Sequence, residues 1–292
     1  MTAIAKPTVQ TGQRIDHVRR WLNTLWPHLV LLTYSLIALF PIFLILINSF
    51  KGRRAIFGQP FQLPTSETFD LIGYDTVFSR TTFGTYYWNS IIVTGVSLIL
   101  ILLFGSMAAY ALSEYRFPGN ALLALYLALG IMIPIRLGTV GLLELMVDLK
   151  LVNRLLSLIL VYIAQGLPLA IFILSEFMRQ VPREMKDAAR IDGASEYRIY
   201  LWLVLPLVRP ALGAIGIFTM IPIWNDLWFP LVLAPGSRTA TITLGVQQFL
   251  GQFVSDWNAV LAALTLAMVP ILIFYVIFSR QMIRSVTAGA IK

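Results

Sequence analysis

Long apolar runs without charged residues limit what this chain can fold into. Runs of about 20 apolar residues recur along it, enough for a helix to cross a bilayer. The first, from His28 to Phe50, contains no Asp, Glu, Lys or Arg. Inside a bilayer every backbone N–H and C=O group needs a partner, which helices supply within each segment. The runs therefore predict an all-α integral membrane protein.

The composition supports the same class of protein. Hydrophobic residues make up 58% of the 292 positions and charged residues 12%, with a mean hydropathy of +0.79. Soluble domains usually carry about 25% charged residues. A net charge of +8 would suit a nucleic-acid partner, but in a membrane protein a basic excess usually follows from topology. We expect contact with the lipid bilayer and no nucleic acid.

Six spans are predicted inside a transmembrane domain at 28–279, between a polar tail at 1–27 and a short tail at 280–292. The spans are expected at 28–50, 88–112, 121–143, 155–178, 208–233 and 259–278. We expect Pro134 and Arg136 to interrupt the third span. A short amphipathic helix is expected at about 244–253, between the last two spans.

Basic residues are divided unevenly between the two sides that six spans define. Fourteen Lys and Arg residues lie in the two tails, the turn after span two and the loop after span four, against seven on the opposite side. Because basic residues accumulate on the cytoplasmic side, both termini and the loop at 179–206 are predicted to be cytoplasmic.

This loop, the one long polar insertion within the apolar sequence, is predicted to form two short helices with a bend between them. Pro182 suits the first position of a helix. Gly193 suits the left-handed position that follows a helix. Ser195 can cap a second helix, which should run until Pro206. On the first helix, four residues fall at helical spacings and give a narrow face of small side chains flanked by charges: Met185, Ala188, Ala189 and Asp192.

The run from Asp187 to Ala194, followed by Leu205-Pro206 and Pro210, resembles the "EAA…G…LP" cytoplasmic loop of ABC-importer permease subunits. Two further stretches, AAYALSEYRFPG at 108–119 and WNDLWFPLVLA at 224–234, resemble the carbohydrate-importer branch, the maltose-permease-like subunits. Asp187 stands where that family usually has Glu, so the acid is one methylene shorter.

The resemblance implies a function and a set of partners. The loop would be the coupling element that docks into a cleft on an ATPase subunit, and its contacts would be made by Met185, Asp187, Ala188, Ala189, Asp192, Gly193 and Ala194. The chain would pair with a second homologous permease subunit, two ATPase subunits that carry ATP and Mg, and an extracytoplasmic sugar-binding protein. It would lie in a bacterial inner membrane and bind no cofactor itself.

Sequence patterns typical of catalysis are absent. The chain has no Walker A pattern, no H-E-x-x-H and no G-x-S-x-G, and its two histidines, His17 and His28, lie near the N-terminus. Without cysteine it has no thiolate metal site. We therefore expect a transport subunit rather than an enzyme.

Two other classes of protein stay open at this point. An ion-coupled secondary transporter should show inverted repeats and intramembrane acids, for which only Asp226 is a candidate. An integral-membrane enzyme would need acids or histidines clustered at one interface.

Polar residues inside the predicted spans are candidates for the substrate pathway, because a charge at the bilayer centre costs about 3 kcal/mol unless it meets water or a partner. Arg136 and Asp226 have two interpretations. They form an ion pair that holds the bundle together, or Arg136 snorkels outward, and in either case the role is structural. Alternatively, Arg136 lines the translocation cavity and helps to accept an acidic sugar through its bidentate guanidinium. Asn225 lies at a similar depth.

Three further candidates have equally open roles. Trp224 and Trp228 lie four residues apart, which would place both on one helical face that stacks on a sugar ring or belongs to an interfacial aromatic belt. Gln165, next to Gly166 and near Pro168, marks either an opening onto a cavity or a helix-packing kink.

Overall fold

The computed structural model describes residues 11–80, 82–250 and 256–290, and only the backbone of 11–24, 80 and 278–290. Over the described residues the regular elements are helices, with one isolated bridge between Lys51 and Phe69. The chain divides into two compact units, Met1–Leu71 and Ile72–Lys292. The all-α class predicted from the sequence is confirmed.

The first unit consists of helix α1 (Thr11–Ser49), helix α2 (Arg53–Gly58) and a turn-rich segment up to Leu71. Much of the predicted polar tail is thus helical, while residues 1–10 lie outside the described part. The apolar portion Leu25–Ser49 is long enough to cross a membrane. After it, the side chain of Lys51 is buried and donates hydrogen bonds to Asn48 Oδ1 at 3.1 Å and the Gln59 carbonyl at 2.9 Å.

The second unit contains the remaining helices of the described residues. They are α3 (Ile72–Arg80), α4 (Phe83–Glu114), α5 (Asn120–Met132), a 3₁₀ turn (Ile135–Gly138), α6 (Thr139–Asp148), α7 (Leu155–Arg179), α8 (Arg183–Ile191), α9 (Glu196–Arg198), a π-helical segment (Ile199–Val204), α10 (Leu205–Leu207), α11 (Arg209–Asn225), α12 (Trp228–Leu233), α13 (Ile242–Gln247) and α14 (Trp257–Ala290).

Helices α4 and α7 form the most extensive helix pair of this unit, and small residues bring them together. Gly166 of α7 lies directly against Ile101 of α4, where a Cβ atom would come within 2.6 Å of the isoleucine Cδ1. A Cβ atom at Gly105 would lie 3.0 Å from that of Ala170. Small residues at such contacts let membrane helices approach closely. Helix α7 continues through Pro168, so Gly166 serves helix packing.

Membrane crossings are of two kinds in the described residues. Four helical segments are long and apolar enough to cross alone: Leu25–Ser49, Phe83–Glu114, Leu155–Arg179 and Trp257–Ile277. In two further cases, two successive helical segments are long and apolar enough to cross only when they are taken as one. These bent pairs are Asn120–Met132 with Ile135–Asp148, bent by 86°, and Glu196–Leu207 with Arg209–Asn225, bent by 74°. The structure thus gives six crossings if each bent pair crosses once.

Several predicted boundaries differ from the observed helices. The third span breaks after Met132, because Ile133 precedes a proline and takes an extended conformation. Residues 144–148, which lie between the predicted third and fourth spans, belong to α6. The helix of the fifth span ends at Asn225 instead of running to 233, and α12 follows after a break.

The last part of the chain shows two more differences. The amphipathic helix expected at 244–253 is α13, which ends at Gln247, and residues 251–255 lie outside the described part. Helix α14 continues to Ala290, so the backbone of most of the predicted C-terminal tail is helical, and residues 291–292 lie outside the described part.

Candidate functional site

The predicted coupling loop contains the helix and the bend that its sequence indicates. Helix α8 starts at Arg183. Pro182 occupies the N-cap and not the first helical position that was predicted for it. It ends in a Schellman motif: the Gly193 N–H donates to the Arg190 carbonyl and the Ala194 N–H to the Ala189 carbonyl, at 3.0 and 2.9 Å. Gly193 has φ +78°, so the left-handed conformation predicted for it is confirmed.

The second part of the loop is a continuous helical segment from Glu196 to Leu207. Ser195 occupies its N-cap position, but its side chain makes no capping hydrogen bond, and only its carbonyl accepts from the next turn. The π-helical turns at Ile199–Val204 carry the segment through Pro206 to Leu207, beyond the predicted end. The bend to α11 follows at Val208.

An ion-pair network centred on Arg190 joins the two parts of the loop to each other and to α4. The Arg190 guanidinium donates to Glu196 Oε1 at 2.8 Å, to Asp187 Oδ1 at 2.7 Å and to Glu114 Oε1 at 2.6 Å. Hydrogen bonds with Glu196 and the other two acids raise the pKa of Arg190 above its usual value. The Tyr110 hydroxyl donates to Glu196 at 2.9 Å. One guanidinium therefore holds three chain segments together.

The contact with α4 is largely buried. Glu114, the last residue of that helix, also pairs with Lys186, and the two side chains are 11% and 6% exposed. Breaking such a pair leaves a buried charge without compensation, which is costly. Asp187 is 62% exposed and lies beside Arg190 on the outer surface of α8. The acid predicted to meet an ATPase is thus paired within its own helix but still accessible.

Sequence reasoning missed Glu114, Lys186, Arg190 and Glu196 as members of one network. One signal was available, because the turn after span two and the loop at 179–206 were both predicted to lie on the cytoplasmic side of the membrane. Opposite charges at 114 and in the loop could then have been expected to meet. Which acid meets which base depends on the rotation of α8 against α4, which no local pattern gives.

Exposed apolar side chains surround α8. Ile191, Tyr197 and Trp202 are 86%, 77% and 81% exposed, and Met185 is 42% exposed. Ala188 and Asp192 share the outward side, while Ala189 and Ala194 are half-buried and pack against the bundle core. The four residues predicted to share one face therefore do not all lie on the same side, because Ala189 is turned inward. Ala189, Ala194 and Trp202 border a cavity of about 440 Å³ beside α8.

A second polar cluster lies at two helix breaks, the one between α5 and the 3₁₀ turn and the one between α11 and α12. Arg136, in the 3₁₀ turn after α5, approaches Asp226 Oδ1 at 3.4 Å. The Asp226 side chain is 7% exposed, whereas that of Arg136 is 67% exposed. A strong charge-assisted hydrogen bond is about 2.7–2.9 Å long, so this contact is weak. The predicted juxtaposition of the two residues is present, and it leaves the guanidinium accessible.

Both the carboxylate and the backbone carbonyl of Asp226 accept hydrogen bonds from other residues of the bundle. Its carboxylate accepts from the Tyr162 hydroxyl at 2.9 Å and from the backbone N–H groups of Trp228 and Phe229 at 3.2 and 3.1 Å. The two N–H groups belong to the first turn of α12, whose dipole favours a negative charge. The Thr243 hydroxyl donates to the Asp226 carbonyl at 2.6 Å. Asp226 therefore stabilises the break between α11 and α12.

The tryptophan pair does not share a helical face, because α11 ends between the two residues. Trp224 is 4% exposed, its Nε1 donates to the Ala267 carbonyl at 3.1 Å, and its ring lies edge-on to Tyr87. Trp224 is therefore packed inside the bundle and does not lie on an exposed face. Trp228 is 43% exposed and its Nε1 donates to Thr139 Oγ1 at 3.0 Å. Thr139 is the first residue of α6, and its hydroxyl donates in turn to the Arg136 carbonyl at 2.6 Å.

The two remaining candidates are exposed. The Asn225 amide donates to the Ile221 carbonyl, one turn back, at 2.9 Å. Gln165 lies on α7, one turn after Tyr162, and makes no hydrogen bond with another described residue. Within the same part of the chain, no group of three or more His, Asp or Glu side chains could hold a metal ion.

Comparison with known proteins places these features in a family. Residues 101–288 match the model of the family described as "Binding-protein-dependent transport system inner membrane component". A putative ABC transporter permease protein of Caldicellulosiruptor sp. is 38% identical, over 91% of this chain and 96% of its own. The diacetylchitobiose uptake system permease protein NgcG of Streptomyces coelicolor is 33% identical, over 91% of this chain and 88% of its own.

Another relative is also named as a transport permease, and a solved ABC transporter has the same fold. The arabinooligosaccharides transport system permease protein AraQ of Halalkalibacterium halodurans is 32% identical, over 88% of this chain and 92% of its own. A crystal structure of a bacterial ABC transporter involved in the import of the acidic polysaccharide alginate contains a chain of the same fold. It is matched with a TM-score of 0.75 and 22% identity, over 95% of this chain and 100% of that one.

These relatives are transport subunits, which decides against the enzyme and the secondary transporter as classes for this chain. The apolar helices and the relatives together indicate a multi-pass inner-membrane protein. The resemblance inferred from the loop at 187–194 and the two flanking stretches is confirmed over most of the chain. The chain belongs to the family of binding-protein-dependent transport system inner membrane components, the permease subunits of ABC importers.

Proposed function

We propose that this chain is the permease subunit of an ATP-driven importer of oligosaccharides and that α8 couples it to an ATPase. The contact between Arg190 and Glu114 carries the coupling part of the proposal. It links a short exposed helix to the end of a membrane-spanning helix through a largely buried carboxylate. A displacement of α8 by a partner would therefore pass directly to α4.

The surface of α8 suits a protein partner. Exposed tryptophan and tyrosine side chains are typical anchors of protein interfaces. Here they and an exposed isoleucine surround a helix that three ion pairs tie to Glu114 and Glu196. A rigid helix loses little conformational entropy on docking. The ATPase would supply ATP and Mg, and its closure would tilt α8 and open the spans alternately to the two sides.

Membership of the family supports the kind of the remaining partners. A second homologous permease subunit would complete the pathway, two ATPase subunits would drive it, and an extracytoplasmic binding protein would deliver the saccharide. The excess of basic residues on the side of α8 supports a cytoplasmic position for this loop and for both termini.

For the substrate we propose an oligosaccharide with an acidic group. The relatives named for diacetylchitobiose and arabinooligosaccharides support a saccharide. Asp226 already has three donors within its fold, so Arg136 is not needed to neutralise it by a short hydrogen bond. An accessible guanidinium within an apolar bundle can accept a carboxylate in a bidentate geometry. Gln165, Asn225 and Trp228 would line the same pathway.

The test is co-expression with the partner subunits, reconstitution in proteoliposomes, and measurement of both ATP turnover and saccharide uptake with the binding protein present. Asp187→Lys combined with Gly193→Val should lower both rates at least about tenfold, since a tenfold change needs only 1.4 kcal/mol of lost coupling. Asp148→Lys, an exposed charge reversal on α6, serves as the matched control.

Uptake that persists unchanged in the double variant would contradict the role of α8. Uptake by vesicles that lack the ATPase subunits would contradict the proposal as a whole.

A further inference from the structure

Two adjoining cavities lie where α4 and α7 end and α5 begins. The larger, about 860 Å³, is bordered by the turn after α4 and by the start of α8. The smaller cavity, about 110 Å³, lies between helices α5 and α7. Leu112, Ala124 and Arg179 border both, so the two cavities form one continuous groove.

The larger cavity is basic. Its wall contains Arg116, Arg179, Arg183 and Lys186 and no acidic side chain. Lys186 is neutralised by Glu114 and Arg179 by Glu176. Arg116 and Arg183 make no ion pair or hydrogen bond with another described residue, and both are exposed. Two positive charges are therefore left uncompensated at one cavity.

The smaller cavity is mostly apolar. Leu127, Ala128, Ile171 and Phe172 form its wall, with Glu176 at the end where it pairs with Arg179. Its residues belong to membrane-spanning helices, so its depth corresponds to the hydrocarbon region next to the headgroups. A basic pocket continued by an apolar groove at this depth matches the two parts of an anionic phospholipid, and basic pockets between membrane helices on the cytoplasmic side bind such headgroups.

We propose that an anionic phospholipid of the cytoplasmic leaflet binds here, with its headgroup phosphate at Arg116 and Arg183 and part of one acyl chain between α5 and α7. The proposal rests on the proposed function, whose topology places this end of the bundle in the cytoplasm. Because Arg183 is the first residue of α8, the lipid would hold the coupling helix against the end of the bundle.

The experiment is native mass spectrometry of the assembled complex released from nanodiscs that contain equal amounts of phosphatidylglycerol and phosphatidylcholine. The wild-type complex should retain phosphatidylglycerol in preference to phosphatidylcholine. Arg116→Gln with Arg183→Gln should weaken this retention at least about tenfold, given the attraction of each basic group to an anionic surface. Lys150→Gln with Arg154→Gln removes two exposed charges before the opposite end of α7 and should leave retention unchanged.

A second variant separates a lipid from a free phosphate. Ala128→Trp fills the apolar groove without changing charge, so it should reduce retention of phosphatidylglycerol while Arg116 and Arg183 are intact. Soluble glycerol phosphate should not displace the lipid. Effective displacement by glycerol phosphate would assign the pocket to free phosphates and overturn the proposal.

Other outcomes are equally decisive. Equal retention of the two lipids, or equal losses in the two double variants, would overturn the lipid site. If the complex imports saccharide with ATP but retains no phosphatidylglycerol, the lipid site is wrong and the proposed function stands. If phosphatidylglycerol is retained but no ATP-driven import occurs, the proposed function fails instead.

Discussion

The guanidinium of Arg190 in α8 donates a 2.6 Å hydrogen bond to Glu114 at the end of α4, 76 positions earlier in the chain. Glu114 pairs through its other oxygen with Lys186, which is buried. One carboxylate therefore holds two cations of the same short helix. The position of α8 depends on this contact and on the Schellman motif that turns the chain at Gly193.

Replacing Glu114 by Gln should loosen α8 without unfolding the bundle. The amide keeps an acceptor but leaves Lys186 buried without a counter-charge, at a cost of about 3–5 kcal/mol. We expect a lower melting temperature of the purified complex and an ATP turnover that no longer responds to the loaded binding protein. Glu144→Gln, an exposed acid on α6, is the control. Unchanged coupling in the Glu114 variant would show that another contact positions α8.

Replacing Gly193 by Ala should weaken coupling through backbone strain alone. Nothing lies within 4 Å of the position a Cβ would take, but φ is +78°, and a left-handed conformation costs an alanine about 1 kcal/mol more than a glycine. Gly84→Ala is the matched control, because its Cβ also meets open space and its backbone lies in the first turn of a regular helix. Saccharide uptake should fall in the first variant only. A similar fall in both would indicate a general effect of the alanine.

Gly166→Val should separate α4 from α7. Its side chain would overlap Ile101, whose Cδ1 lies 2.6 Å from the position of a Cβ and which is fully buried. Overpacking of this kind costs about 1–3 kcal/mol. The purified complex should melt at a lower temperature, and Ile101→Ala in the same chain should recover part of the loss. If the second substitution makes the loss worse, the steric explanation is wrong.

Arg136 and Asp226 should behave differently although they are neighbours. Asp226→Asn replaces a buried carboxylate that accepts from Tyr162 and two N–H groups, so yield and thermal stability should fall, by about 1–3 kcal/mol. Arg136→Gln should leave assembly intact, since its side chain is 67% exposed, and should lower uptake of acidic saccharides relative to neutral ones. Poor assembly of the Arg136 variant would instead assign it the structural role.

The sequence by itself determined the features that depend on neighbours along the chain. Apolar runs and the low charge gave the all-α membrane class, and Gly193, with the residues before it, gave the end of α8. These follow from rules that act within about one helical turn or one bilayer thickness, which is why they could be read without a structure.

Only the tertiary structure decided which polar groups meet. The Arg190 to Glu114 contact, the burial of Trp224 and the inward turn of Ala189 depend on how each helix is rotated when small residues such as Gly166 let neighbouring helices approach. The break at Asp226 likewise depends on donors from α7 and α12. Helix rotation is set by packing between segments far apart in the chain, and hydropathy and capping patterns carry no information about it.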